Sequence, residues 1–161
     1  LSYMPHPGTI SLLQALEIPQ EGGETQFCDC RAAYDAMSET QKTHLGSLRA
    51  VHRHPVAEQN APGVVSHPIV RTHPETGRRT LYVSPHLTSH VVGLDKADSA
   101  QLLNEIYAHM DQPQFIWTQR WAVGDLLMWD NRPTMHRRLG FPDAQRRVMK
   151  RTQVFGDEPV L

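Results

Sequence analysis

The run MWDNRPTMHRR, residues 128–138, carries a histidine close behind a strand-like stretch, Gly124 to Trp129, and a polar turn, Asp130 to Pro133. Imidazole is a common nitrogen ligand for zinc, iron and copper, and a histidine presented at the end of a rigid strand is well placed to bind one. The same side chain could equally hydrogen-bond a carbonyl and do no more. Two further features share this placement near strand ends. Thr25 follows the tight Gly22-Gly23 turn of GGET, and Arg147 and Arg151 stand four apart in QRRVMKRT. On a strand, residues four apart face the same way, roughly 13 Å from one another. Two guanidiniums on one interior face are costly unless each meets an anion. Arginine is the side chain that grips a carboxylate with two parallel hydrogen bonds. A histidine ligand combined with such arginines suits a metal-bound oxo-acid whose far end an arginine holds. The plainer reading keeps Arg146 and Lys150, which alternate with the pair, as a solvated basic face.

Other candidates are weaker. Cys28 and Cys30, in FCDC, would point to one face if both lay on a strand. A disulfide across one intervening residue would be strained, and two thiolates are too few for a structural zinc site. Two reduced thiols in a cytoplasmic protein are the simpler expectation. His52 and His54 share a face if VHRH is a strand, a spacing that could hold metal but more commonly marks ordinary histidines.

The elements that position these residues belong to a chain of 161 residues, long enough for one domain with a substantial core. Its 39% hydrophobic and 20% charged residues are an ordinary globular composition. A net charge of −1 gives no electrostatic reason to expect nucleic acid or an anionic membrane as partner. No apolar run approaches the roughly 20 residues that cross a bilayer. The chain opens on Leu1 rather than Met, so it is expected to be a piece of a longer one.

Thr9 to Pro19 reads as a strand, ETQFCD as a second, with PQEGG linking the two. RAAYDAM is helical, and a second helix restarts with Ser38 as its N-cap. RAVHRH is extended, and residues 55–66 lack periodicity and read as a mobile surface loop. HPIVRTHPETGRRTLYVS has the composition of a hairpin. DKADSAQLLNEIYAHMDQ carries an apolar stripe of Leu102, Leu103, Ile106, Tyr107 and Met110 at helical spacing, which is core packing. QFIWTQRW, GDLLMW and RRVMKRTQVF are strand candidates. Many short strands with Pro/Gly turns and few helices predict a mainly β sandwich or barrel with helical insertions, in a single domain over residues 1–161.

Taken together and in this order, GGET, RAAYDAM, HPIVRTHPETGRRTLYV, VGDLLMWDNRPTMHRR and QRRVMKRT resemble the taurine dioxygenase/2,4-dichlorophenoxyacetate dioxygenase family over nearly the whole chain. The resemblance implies a double-stranded β-helix, or jelly roll, and an Fe(II)- and 2-oxoglutarate-dependent dioxygenase that uses O₂, hydroxylates a small anionic substrate and releases succinate and CO₂. It implies His136 as an iron ligand, Thr25 and Arg147 as the grip on the far carboxylate of 2-oxoglutarate, Arg151 facing the substrate's acidic group or the co-substrate's chelating end, and Trp129 walling the substrate site beside the metal. The family's metal site also uses a His-x-Asp pair, which occurs nowhere in these 161 residues. Counting back from Thr25 by the family's spacing puts that Asp immediately before Leu1. The chain is therefore expected to be the C-terminal portion of an oxygenase domain whose N-terminal part is missing, inactive on its own. Residues 55–66 look shorter than the family's substrate-covering segment. The alternative is a metal-free β-sandwich module that binds small anions. The identity of the substrate and the oligomeric state, homo-oligomer included, stay open.

Overall fold

The structure, a computed structural model, describes residues 1–156. Its longest strand, β1 (Gly8–Glu17), sits between β9 (Leu126–Asp130) and β11 (Val148–Phe155) in an antiparallel three-stranded sheet. A second antiparallel sheet runs β10 (Thr134–Arg138), β2 (Thr25–Asp29), β8 (Ile116–Gln119). The two sheets face each other, as Trp129 of β9 shows by meeting Phe27 of β2 edge-on at 5.1 Å between ring centres. The first sheet's register aligns Ser11 with Trp129 and Gln153, and Leu13 with Leu127 and Arg151. In the second, Phe27 opposes His136 and Thr25 opposes Arg138. Side chains of directly opposed residues share a face. The space between the sheets thus collects Thr25 and His136 from one side and Arg151 and Gln153 from the other.

Most of the apolar core lies elsewhere, on the far face of the second sheet. There Cys28 packs with Ala33 and Tyr34 of α1 (Cys30–Asp35) and with Leu103, Ile106 and Met110 of α3 (Lys96–Met110). The stripe on α3 is the expected one, with Leu103, Ile106 and Met110 buried and Leu102 and Tyr107 half-buried. Asp95 caps α3, its carboxylate accepting from the Asp98 backbone N–H at 2.9 Å. Ser38 caps α2 (Glu39–Gly46) as expected, in a reciprocal box with Gln41. Such caps stabilise a helix by about 1 kcal/mol each.

The segment between these layers carries β4 (Val65–Pro68), β3 (Arg49–His52) and β7 (Thr88–Val91) as a third sheet, and the expected hairpin as β5 (Val70–Thr72) with β6 (Arg79–Leu81). PQEGG links two strands as expected, and they lie in different sheets. Three expectations need correcting. His136 is not behind the end of a strand but in the middle of its own, β10. Cys28 and Cys30 do not share a strand, because the helix α1 begins at Cys30; both are buried free thiols. The loop expected over 55–66 is shortened by a single 3-10 turn at Ala57–Gln59 and by β4, which takes Val65 and Ser66.

Candidate active site

The turn Asp130–Pro133 feeds β10 and so sets the position of His136. Asp130 anchors it. Its carboxylate accepts from the Arg132 backbone N–H at 2.8 Å and from Arg132 Nε and Nη2 at 2.9 and 2.7 Å. His73 Nε2 completes the shell at 2.9 Å. The tautomer of His73 follows from its other nitrogen, Nδ1, which accepts from the backbone N–H groups of Glu75 and Thr76, so the proton sits on Nε2 and points at Asp130. Burial alone would push the Asp130 carboxyl up, but these donors outweigh it and hold it at about 2. Arg132 also reaches Glu75 at 3.0 Å, tying the turn to the β5–β6 hairpin. Next to it, Asn131 exchanges hydrogen bonds with the fully buried Ser11, which also accepts from Gln153. The site's supporting shell therefore spans four separate parts of the chain.

His136 is flanked by two rings, stacked on Phe27 at 5.8 Å and edge-on to Trp129 at 4.9 Å, and keeps an exposed edge toward a cavity of about 370 Å³. Desolvation first, then the charge of Arg151, lowers its pKa to about 4, so the imidazole is neutral at physiological pH. Arg151 lines the same cavity and makes no ion pair with the described residues. Trp129 does not line that cavity; it is buried behind the histidine, so its contact is with the His136 ring.

Thr25 and Arg147 meet directly. Arg147 Nη2 donates to Thr25 Oγ1 at 3.2 Å and its Nε donates to the Gly23 carbonyl at 2.9 Å. The Gly-Gly pair is what permits this. Gly22 and Gly23 have φ of 75° and 73°, a Cβ on Gly22 would collide with the Gly140 carbonyl, and one on Gly23 would come within 3.2 Å of Arg147 Cδ. Burial, and then the nearby charge of Arg138, lower the proton affinity of the Arg147 guanidinium, which has no carboxylate partner among the described residues. Arg146, by contrast, faces solvent and pairs loosely with Glu17, and Lys150 is exposed, as the basic-face reading of those two residues expects.

Could His136 hold a metal? A neutral ring with a cavity-facing edge, whose nitrogens make no hydrogen bond to the described residues, is a fitting nitrogen ligand. It would be one ligand only: among the described residues no group of three or more His, Cys, Asp or Glu is arranged to hold an ion. His52 and His54 do not form a second centre, since β3 stops at His52, whose ring meets His67 and Tyr82 while His54 packs on Tyr3.

Sequence reasoning missed Trp121, which donates to Thr25 Oγ1 at 3.0 Å, and the His73–Asp130–Arg132 network. The dense polar run Asp130-Asn131-Arg132 was the available signal for the second. Nothing local marked the first.

The family model for taurine catabolism dioxygenase TauD, TfdA family, matches residues 1–153. The alpha-ketoglutarate-dependent 2,4-dichlorophenoxyacetate dioxygenase of Cupriavidus pinatubonensis is 38% identical, with 99% of this chain and 59% of that protein covered. An alkylsulfatase of Acinetobacter baylyi is 30% identical over 92% of this chain and 52% of its own length. The chain thus spans a little over half the length of these relatives. Among solved structures, AAD-2 in complex with Mn(II) and N-oxalylglycine superposes with a TM-score of 0.91 at 34% identity, covering 99% of this chain and 68% of that one. With facing antiparallel sheets, a jelly-roll fold shared with these structures, and a family match over nearly its whole length, the chain belongs to the TauD/TfdA family.

Proposed function

We propose that the protein is an Fe(II)- and 2-oxoglutarate-dependent dioxygenase that hydroxylates a small anionic organic molecule (a carboxylate, sulfonate or sulfate ester) and releases succinate and CO₂. One observation carries the reading: His136 and Thr25 share the inner face of one sheet, and Arg147 joins Thr25 there. Thr25 is one inward-facing position from Phe27, the partner of His136, roughly 7 Å along the strand. That is the reach of a five-carbon diacid whose keto-acid end sits at the metal. In this reading His136 contributes one ligand to the iron, and Thr25 and Arg147 hold the far carboxylate. Arg151, which has no anionic partner among the described residues, faces the acidic group of the substrate. Phe27 stacks on the histidine and Trp129 meets it edge-on, and together they fix its ring. Bound iron would supply the activation of O₂ and the oxidation of an unactivated C–H bond; the chain's part is orientation and exclusion of water. The relatives named for phenoxyacetate and alkyl sulfate chemistry support an anionic substrate. No observation favours a metal-free binding module.

Residues 1–161 act as one domain, and the two reduced thiols suit a cytoplasmic setting; no helix among the described residues is long and apolar enough to cross a membrane. The test is 2-oxoglutarate turnover by the full protein over a panel of phenoxyacetates, sulfonates, sulfate esters and simple carboxylates, scored by succinate. At least one class should give substrate-dependent succinate, and His136→Ala should abolish it. Retained turnover in that variant, or none across the panel for the wild type, overturns the proposal.

A further inference from the structure

We infer that Trp121 is a positioning residue that fixes the Thr25 hydroxyl as a hydrogen-bond donor to an incoming carboxylate. This inference rests on the 2-oxoglutarate reading above. A threonine hydroxyl has one proton and two lone pairs. At Thr25 the oxygen accepts from Trp121 Nε1 at 3.0 Å and from Arg147 Nη2 at 3.2 Å. An indole N–H and a guanidinium N–H can only donate. Both lone pairs are therefore in use, and the hydroxyl proton must point away from both partners. Thr25 is 2% exposed, so bulk water is not the default acceptor, and that proton meets no protein acceptor among the described residues. The hydroxyl is thus set to donate before a ligand arrives, and Arg147 supplies positive charge beside it.

The indole is held as firmly as the hydroxyl. Trp121 is buried and opens a turn whose geometry is pinned at several points. The Asp125 carboxylate accepts from the Ala122 backbone N–H at 2.9 Å and from Gln119 Nε2 at 3.1 Å. The Gly124 N–H donates to the Ala15 carbonyl at 2.8 Å, and the Ala15 N–H donates to the Asp125 carbonyl at 2.9 Å. Gly124 has a φ of 95°, a conformation other residues rarely adopt. These bonds tie the turn to β1 of the facing sheet. A hydroxyl free to rotate would have to give up an alternative orientation when the carboxylate binds; this one has no such alternative to lose.

The test is a double-mutant cycle on the affinity of the full protein for 2-oxoglutarate, measured by calorimetry under anaerobic conditions with Mn(II) in place of iron, so that no turnover is read. Trp121→Phe keeps the ring and deletes the N–H. It should weaken 2-oxoglutarate binding about 3- to 10-fold, the worth of a single neutral hydrogen bond. In a Thr25→Val background the same substitution should change affinity by less than about 1.5-fold, because Trp121 acts through the hydroxyl that is gone. Thr25→Ser, which keeps a hydroxyl, should restore sensitivity to Trp121→Phe. Equal losses in the wild-type and Thr25→Val backgrounds, or no loss in either, overturn the inference while leaving the co-substrate assignment intact. Wild-type protein that shows no saturable binding of 2-oxoglutarate overturns both. Thermal unfolding of each variant separates misfolding from a binding effect, and a Trp121→Phe protein that is folded yet keeps full affinity counts against the proposal.

Discussion

Replacing Asp130 with asparagine should destabilise the protein by about 2 kcal/mol at neutral pH, and the loss should disappear in acid. The carboxylate sits at about 2 instead of its usual 3.8, and each tenfold change in proton affinity is worth about 1.4 kcal/mol. Its side chain is 28% exposed, so the charge is only partly screened by solvent. Asparagine keeps the shape but has a single acceptor oxygen. If that oxygen faces the Arg132 backbone N–H and Nε, the amide NH₂ points at His73 Nε2–H and Arg132 Nη2, where donor meets donor. The opposite flip breaks the other pair of bonds. The sign follows from a folded-state value below the unfolded one. The stabilisation is fully present above the unfolded carboxyl's pKa and fades as pH falls from about 5 through the folded value of about 2. Urea unfolding of wild type and Asp130→Asn, repeated from pH 7 down to the lowest pH at which both fold, measures the gap directly. A gap below about 0.5 kcal/mol at pH 7, or one that stays constant as the solution is acidified, would refute the reasoning.

Two further outcomes test the site. Arg147→Ala should weaken 2-oxoglutarate binding roughly 10- to 150-fold, the worth of a charge-assisted hydrogen bond, whereas Arg147→Lys should recover only part, since one ammonium cannot serve the Gly23 carbonyl, Thr25 and a carboxylate with the same fork. Titration calorimetry reads both, and an unchanged affinity in the alanine variant removes Arg147 from the co-substrate site. Arg151→Ala should raise the substrate KM far more than the 2-oxoglutarate KM, and should increase the succinate formed per hydroxylated product. Equal shifts in both KM values would place Arg151 at the co-substrate, and no shift in either would make it part of the solvated face.

Residues that act through local chemistry were legible in the sequence. The Gly22-Gly23 pair announces a backbone turn, the Ser38 cap announces a helix start, and the α3 stripe announces a buried face, because each depends only on neighbours a few positions away. The setting of Thr25 and His136 and the spacing of Arg147 and Arg151 singled these residues out; the structure puts His136 and Arg151 on one cavity and joins Arg147 to Thr25. What the linear chain could not express is which element lies opposite which. His136 gained a strand of its own because Phe27, more than a hundred positions earlier, offers it a pairing edge. Trp121 meets Thr25 across 96 positions, and His73 meets Asp130 across 57. Each of these contacts forms only after remote strands have paired or packed against one another. Hydrogen bonds need atoms about 3 Å apart and aligned, and no periodicity in sequence encodes that distance between remote segments.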